Sequence, residues 1–373
     1  MAQAIAFPGK YIQGDNALLR IGKYVAPLGN SVLIIASQGR LSDLKGIAEA
    51  SFKDAGVAVA YAVFGGECSK QEVERLRELA KSGQCNVIVG MGGGKVIDTA
   101  KAVAYYEKAP LVIIPTVASC DAPTSSVVVY YNEDGAFQEV LLTRRNPNIV
   151  LVDTRIIANS PARLLVAGMG DALATYFEAR TCVESYRRNL AGGTFTLTSY
   201  ALAKLCYQTL LTDGFSAKLA IENKVVTKAL ENVIEANTLL SGIGFESNGV
   251  SAAHSIYDGF MIMSNAHDMY HGEWVAFGTL VLLILENRSK QEIKEVVEFC
   301  LNVGLPTTLS DLGMEKISRE QLFKVAQAAT APKESIHNEP FPVTADDVVA
   351  AILVADATGR NFNRIIDKAA AKP

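Results

Sequence analysis

Five short runs rich in β-branched residues alternate with longer amphipathic segments over the first 155 positions of the chain. The runs are SVLIIA at 31–36, VAVAYAVF at 57–64, NVIVG at 86–90, LVIIP at 111–115 and NIVLVD at 148–153. Strands that alternate with helices are typical of a parallel sheet with helices on both faces. The sequence therefore predicts an α/β, Rossmann-like, nucleotide-binding domain over residues 1–160.

Two local signals refine this prediction. The segment SKQEVERLRELAKSG predicts a helix that begins with a capping box between Ser69 and Glu72. The segment VVVYYNEDGAFQEVLL, at 127–142, has two alternating runs around Glu-Asp-Gly, which indicates a β-hairpin that covers a cofactor as a flap.

The pattern changes after Pro161, where long segments with helical spacing dominate. We predict an all-helical second domain over 161–373, with helices at 162–183, 194–212, 216–241, 270–287 and 290–302. Since no low-complexity linker separates the two parts, the domains are expected to pack closely with the active site in the cleft between them.

Composition narrows the class of ligand. The chain has 373 residues, a hydrophobic content of 49% and a net charge of -4 without a basic block, which argues against nucleic-acid and membrane-surface partners and favours a small-molecule ligand. The N-terminus lacks the pattern of a secretory signal, and the longest apolar run, Val275 to Leu285, is too short to span a bilayer and predicts a buried helix. Six scattered cysteines suit reduced thiols, so a cytoplasmic protein without disulfides or a cysteine metal cage is expected.

The segment NVIVGMGGGKVIDTAK, at 86–101, joins a predicted strand to a predicted helix through three consecutive glycines. It matches neither the G-x-G-x-x-G pattern nor the P-loop. A glycine turn that only permits tight packing is one interpretation. Its place at the carboxyl end of a strand favours a phosphate-binding turn, with Lys95 a better ligand candidate than Lys101, although either lysine could be a solvated helix charge.

Three of the four histidines, His254, His267 and His271, lie in one short region. Imidazole is a common zinc ligand, and a catalytic zinc typically takes three protein ligands. Asp171, which lies in an apolar helical segment, could complete the set. On one helix His267 and His271 would share a face. Spacing does not choose between the histidines, and the alternatives are a helix-capping Asp171 and ordinary histidines.

The segment IPTVASCDAPTSS, at 114–126, follows the next strand with a row of hydroxyls and one carboxylate, namely Thr116, Ser119, Asp121, Thr124 and Ser125. Such a row suits a ribose, a phosphate or a polyol. The alternative is a turn whose side chains satisfy the local backbone.

These groups occur in the order GGGKVIDTAK, PTVASCDAPTSS, GMGDALATYFEAR and AHSIYDG with HGE. Together they closely resemble the glycerol dehydrogenases of the iron- or zinc-dependent alcohol dehydrogenase superfamily, which also includes dehydroquinate synthase, and the resemblance covers essentially the whole chain. It implies NAD-linked, zinc-assisted, reversible oxidation of glycerol and related vicinal diols to dihydroxyacetone-type products, and a homo-oligomer, an octamer in the family.

The resemblance also implies residue roles. Asp171, His254 and His271 match the zinc ligands, and with Asp121, which matches the residue that hydrogen-bonds the polyol, they form the implied catalytic and substrate-binding set. His267 is left without a ligand role. Where many superfamily members carry a further histidine, this chain has Thr175, as in the zinc branch. Residues that match the cofactor site are Gly93, Gly94, Lys95, Asp98, Thr116, Ser119, Ser125, Val127 and Tyr131.

Position 37 departs from the family, which usually has an aspartate there that binds the adenosine ribose and repels a 2′-phosphate. This chain has Ser37, with Arg40 nearby. We hypothesise weakened NAD binding and some tolerance of NADP; the alternative is that Ser37 still bonds one ribose hydroxyl and selectivity survives.

Two other functions compete with the dehydrogenase. A dehydroquinate synthase-like lyase must bind a phosphorylated, carboxylated sugar, yet the histidine region AHSIYDGFMIMSNAHDMYHGE contains neither lysine nor arginine. A non-catalytic NAD-binding protein is disfavoured by the complete set of Asp171, His254 and His271.

Overall fold

The computed structural model of the chain describes residues 2–133, 135–264 and 266–370, with the backbone alone for 363–370. The strands of the main sheet are β1 (Tyr11–Gly14), β2 (Ser31–Ala36), β3 (Ala58–Val63), β4 (Val87–Gly92), β5 (Leu111–Pro115) and β8 (Ile149–Asp153). Within the described residues they form one six-stranded sheet in the order β1-β8-β5-β4-β2-β3, and every neighbouring pair is parallel. The predicted parallel sheet is confirmed.

Alternate residues of each strand face opposite sides of the sheet, and each side is covered by helices. The helices of this part are α1 (Ile21–Val25), α2 (Gln38–Asp54), α3 (Lys70–Ser82) and α4 (Gly94–Glu107). Ile34 packs in one core with Phe52 of α2, whereas Ile35 packs in the other core with Leu76 of α3. This is the two-sided burial that continuous apolar strands indicate.

The capping box predicted at α3 is only half formed. The Ser69 hydroxyl accepts the Glu72 N–H at 3.2 Å, as expected for an N-cap. The Glu72 carboxylate does not return to the Ser69 N–H; it accepts the Gly65 N–H at 2.8 Å and pairs with Arg75. The glutamate therefore fixes the loop before the helix instead of closing the box.

The predicted hairpin is confirmed. Strands β6 (Val127–Tyr131) and β7 (Phe137–Leu142) pair antiparallel, with Val127 opposite Leu142. Asp134, in the predicted turn, lies outside the described residues.

The described residues after β8 are mainly helical, in the elements α5 (Thr154–Ala158), α6 (Ala162–Glu184), α7 (Leu197–Glu222), α8 (Lys228–Glu235), a π-helical turn (Ala236–Leu240), α9 (Ser241–Asn248), α10 (Ala252–Phe260), α11 (His271–Leu285), α12 (Lys290–Val303), α13 (Arg319–Ala329) and α14 (Ala345–Ala370). Helix α11 contains the long apolar run and is almost wholly buried, as predicted. In the part of the chain that the structure describes, no helix is both long and apolar enough to cross a membrane.

The predicted boundaries of two helices, 194–212 and 216–241, are wrong. Helix α7 continues through Gly214, where a Cβ atom would come within 2.9 Å of the Phe299 ring, so the glycine serves close helix packing and not a break. The break comes later, where Lys224 has a φ of 58° and the Thr227 hydroxyl accepts the Leu230 N–H to begin α8.

Candidate active site

Close contact between two helices brings Asp171 and His271 together. Asp171 lies in the middle of α6, and His271 is the first residue of α11. A Cβ atom on Gly272 would lie 1.8 Å from the Ala167 carbonyl oxygen, and one on Gly170 would lie 2.2 Å from the Gly272 carbonyl oxygen. Only glycine permits this approach of two backbones. As a result, Nε2 of His271 lies 3.2 Å from Oδ1 of Asp171.

His254, on α10, reaches the same carboxylate oxygen. Its Nε2 lies 3.7 Å from Oδ1 of Asp171, and its Nδ1 lies 2.6 Å from Oε2 of Glu178. Glu178 is fully buried, and its Oε1 also accepts the N–H groups of Ser251 at 2.8 Å and His254 at 3.0 Å. Glu178 was not among the residues predicted from the sequence, although its place two helical turns after Asp171 puts both carboxylates on one face of α6.

These three residues fit a metal ion. One ligand atom from each of Asp171, His254 and His271 lies within 4.8 Å of the others. Oδ1 of Asp171 is buried and, although both imidazoles lie near it, accepts no well-aligned hydrogen bond from any described residue, an expensive arrangement that a shared cation would relieve. Donation of Nδ1–H to Glu178 would leave Nε2 of His254 free as a ligand, the usual arrangement at histidine metal sites.

Two alternatives from the sequence do not hold. Asp171 lies well inside α6, so it does not cap a helix. His267 and His271 do not share a helix, because His267 belongs to a separate short 3-10 segment, Ala266–Asp268, before α11. The spacing of four residues therefore does not place these two histidines on one helix face.

Electrostatic interactions couple the protonation of Asp171 to that of His254. Burial alone would raise the pKa of Asp171, but the two imidazoles outweigh burial and hold that pKa well below its usual range. Burial opposes protonation of His254, yet the carboxylates of Glu178 and Asp171 raise its pKa well above the usual value. Metal binding must therefore displace protons, which makes it weaker in acid.

Asp121 lies directly beside this group. Its backbone N–H donates to Oδ2 of Asp171 at 3.1 Å, and its own Oδ2 accepts a hydrogen bond from the Ser241 hydroxyl at 3.2 Å. Burial and the charge of Asp171 raise the pKa of Asp121 well above its usual range. The structure thus places the candidate polyol-binding residue next to the candidate metal ligands.

The glycine turn begins α4 at the carboxyl end of β4. Gly93 is the N-cap residue, and the first helical hydrogen bond runs from the Ile97 N–H to the Gly93 carbonyl at 3.0 Å. The N–H groups that come before Ile97 in the first turn therefore take no part in the helical hydrogen bonds. No side chain of the described residues caps this end. Such a helix start fits a phosphate group.

The other predicted cofactor residues converge on the same edge of the sheet. Ser37, Gly93 and Thr116 follow β2, β4 and β5, which are adjacent strands. Chain order reverses between β2 and β4, where ligands bind in open parallel sheets. The other predicted members lie after β5 or along β6: Ser119, Ser125, Val127 and Tyr131. Lys95, half exposed on the first turn of α4, pairs with Glu67 and lies 5.7 Å from the centroid of the Tyr131 ring.

Lys101 and Asp98 lie inside the protein. The Lys101 side chain is 1% exposed, so it is not a solvated helix charge; its ammonium donates to Asp98 at 3.1 Å, to Ser125 at 3.2 Å and to the Val127 carbonyl at 2.7 Å. The other Asp98 oxygen accepts the Val129 N–H at 3.0 Å. This buried ion pair fastens strand β6 to α4, so the base of the hairpin is anchored beside the glycine turn.

Ser37 has a local structural task. Its hydroxyl accepts the Arg40 N–H at 3.4 Å at the start of α2, and the Arg40 guanidinium lies 3.0 Å from Asp43. Arg40 therefore has a carboxylate partner on its own helix.

Comparisons with known proteins agree with this geometry. The model of the iron-containing alcohol dehydrogenase family matches residues 8–154. A glycerol dehydrogenase from Escherichia coli O6:H1 is 51% identical over 97% of this chain and 99% of its own length, and one from Thermotoga maritima is 48% identical over 96% and 98%. The crystal structure of glycerol dehydrogenase from Schizosaccharomyces pombe superposes with a TM-score of 0.95 at 36% identity, covering 100% of this chain and 94% of that one.

Proposed function

The chain belongs to the iron-containing alcohol dehydrogenase family, and we propose that it is an NAD-dependent, zinc-assisted glycerol dehydrogenase. The reaction is the reversible oxidation of glycerol, and of related vicinal diols, at C2, with dihydroxyacetone as the product from glycerol. The observation that carries the proposal is the position of Asp121 against Asp171, His254 and His271.

Asp171, His254 and His271 would hold the metal. The chemistry that zinc supplies when bound is Lewis acidity, which lowers the pKa of an alcohol toward neutral pH. Glu178 orients His254, and burial excludes water from Asp171, the ligand on α6. The residues therefore provide a fixed set of donors rather than a flexible chelator.

The glycine turn and its neighbours would hold the cofactor. NAD supplies the hydride acceptor when bound. The N–H groups of the first turn of α4 and the ammonium of Lys95 offer positive charge for the pyrophosphate, while the hydroxyls after β5 offer partners for the ribose. Ser37 lacks the negative charge of an aspartate, so we propose some tolerance of NADP.

Asp121 would accept a hydrogen bond from a second hydroxyl of the substrate. Anchoring at two hydroxyls fixes the orientation of the reacting carbon, C2, which supports a preference for vicinal diols over monohydric alcohols. The resulting selectivity depends on the chain's own carboxylate and not on the cofactor.

Steady-state kinetics of the zinc-loaded enzyme test the function. Glycerol, propanediol, butanediol and isopropanol are compared with NAD and NADP, and zinc is quantified in the same preparation. We expect net NADH formation from glycerol and higher kcat/KM for the diols than for isopropanol. Absence of NADH formation from every diol by zinc-replete protein would contradict the proposal.

Three further predictions are properties of the whole protein: a domain boundary between residues 160 and 161, a homo-oligomeric state and a cytoplasmic location. Each stays a proposal. Limited proteolysis tests the domain boundary, size measurement tests the oligomeric state, and cell fractionation tests the location.

A further inference from the structure

A chain of two buried hydroxyls ends on the carboxylate of Asp121. The Thr175 hydroxyl lies 2.8 Å from the Ser241 hydroxyl, which donates to Oδ2 of Asp121 at 3.2 Å. Ser241 and Thr175 are buried to within 1%. A hydroxyl has one proton, and Ser241 gives its proton to the carboxylate, so Thr175 is the donor to Ser241. The two hydrogen bonds therefore run in one direction: Thr175 on α6 donates to Ser241 on α9, and Ser241 donates to Asp121.

Ser241 has little freedom to move. It follows the π-helical turn Ala236–Leu240, a rare conformation that is frequently found at functional sites. The Thr238 carbonyl of this turn accepts the Thr124 hydroxyl at 2.8 Å, and the Asn237 amide donates to the Ala118 carbonyl at 2.9 Å. The helix is thereby bonded to the segment that contains Asp121.

The next residue makes the contact closer still. A Cβ atom on Gly242 would lie 2.0 Å from the Thr124 hydroxyl oxygen and 2.8 Å from the Asp121 carbonyl oxygen. The backbone of α9 therefore lies against the Thr124 side chain and the Asp121 carbonyl, with no room for a side chain at position 242. This fixes the distance over which Ser241 reaches the carboxylate.

We propose that Ser241, supported by Thr175, is a positioning residue that sets the selectivity for polyols over monohydric alcohols. The inference rests on the proposed function of Asp121 as the partner of a second substrate hydroxyl. Ser241 occupies Oδ2, which leaves Oδ1 to accept the substrate's hydrogen bond and prevents the carboxylate from rotating away. The effect of Ser241 is therefore confined to substrates that use Asp121.

The first test is Ser241→Ala. We expect kcat/KM for glycerol to fall about tenfold or more, the range for loss of a hydrogen bond to a charged group, while isopropanol shows a clearly smaller loss. Zinc content should be retained, and the rise in Tm that glycerol produces should shrink. Thr175→Val should also lower the ratio of kcat/KM for glycerol to that for isopropanol. Thr175→Ser keeps the hydroxyl, so it should show the ratio of the wild type.

Ser247→Ala is the matched control, because Ser247 is a buried serine of the same helix whose hydroxyl accepts the Ala6 N–H at 3.1 Å, away from Asp121. It should leave the glycerol-to-isopropanol ratio unchanged and report the general cost of losing a hydroxyl from α9. Equal losses for both substrates in Ser241→Ala with zinc retained, or no loss for either, would overturn the inference. A wild-type enzyme with no preference for glycerol over isopropanol would instead contradict the proposed function.

Discussion

Asp171 and Glu178 lie two helical turns apart on one face of α6, and the ring of His254 lies between their carboxylates. Glu178 binds the Nδ1 side of the ring at 2.6 Å, and Asp171 faces the Nε2 side at 3.7 Å. A single helix thus supplies one metal ligand and the group that orients another.

Glu178→Gln should weaken zinc binding about 10–100-fold, because an amide does not hold the Nδ1–H of His254 as a carboxylate does. Titration with a competing chelator measures the affinity. Glu184→Gln, at an exposed position of the same helix, is the control and should bind zinc as the wild type does. Equal affinities of the Glu178 variant and the wild type would show that Glu178 does not act on the ligand.

Alanine at Asp171 or His271 should abolish zinc content and turnover together, since each removes one of three ligands. Zinc is measured by atomic absorption and turnover by NADH formation. His267→Ala is the matched control, because His267 lies in a different segment, and it should keep both properties. Full activity in metal-free protein would refute the role of the metal.

Lys101→Met should destabilise the protein by about 3–5 kcal/mol, because it leaves the buried Asp98 carboxylate without its partner. Urea unfolding measures the free energy. A double variant, Lys101→Met with Asp98→Leu, should lose less than the sum of the two single changes. Lys45→Met, at an exposed lysine, should change stability little; a similarly small change for Lys101→Met would contradict a structural role for the pair.

Ser37→Asp should raise the ratio of kcat/KM for NAD to that for NADP, because a carboxylate at this position attracts ribose hydroxyls and repels a 2′-phosphate. Aspartate is also a good N-cap, so the start of α2 should remain intact. Ser37→Ala serves as the control for loss of the cap. A strong NAD preference in the wild type that Ser37→Asp leaves unchanged would refute the predicted tolerance of NADP.

Glu339 makes stability depend on pH. In the folded protein, burial and the charge of Glu286 raise its pKa to about 8 from a usual value of 4.5, and the Ser251 side chain opposes this rise only in part. The folded state therefore binds the proton more tightly than the unfolded state. Its contribution to stability is fully present below pH 4.5 and is lost as pH rises through 8.

Glu339→Gln, a neutral isostere, should remove this dependence. Between pH 5 and pH 9 the variant should gain Tm relative to the wild type. The corresponding gain in the free energy of unfolding is on the order of a few kcal/mol. The exposed change Glu298→Gln should give no such trend. Parallel pH profiles of the Glu339 variant and the wild type would exclude this carboxyl as the source.

The sheet was predictable because its central strands are continuous β-branched runs, such as Ser31–Ala36 and Leu111–Pro115, which the structure reproduces at both ends. Strand β1 was not, since it has four residues, none fully buried, and depends on pairing with β8, where Tyr11 faces Val150. Gly214 misled the prediction of helix ends because its packing against Phe299 is a long-range contact.

Parts of the candidate site were predictable from residue type and from position after a strand. Gly93 follows a predicted strand, and histidines are so few in this chain that their clustering is informative. Glu178 and Ser241 were missed for a different reason. Their importance comes from hydrogen bonds to His254 and Asp121, and only the fold brings those partners within reach. Lys101 likewise resembles any helix lysine until the hairpin covers it.

The contact of Gly170 with Gly272 has a practical meaning for redesign of the substrate range. Two main chains meet there, so the span from Asp171 to His271 is fixed by backbone and offers no side chain to trim. Any larger residue at either position would wedge α6 from α11 and pull the ligands apart. Changes to the substrate range must therefore come from side chains beside the ligands, such as Asp121 and Ser241.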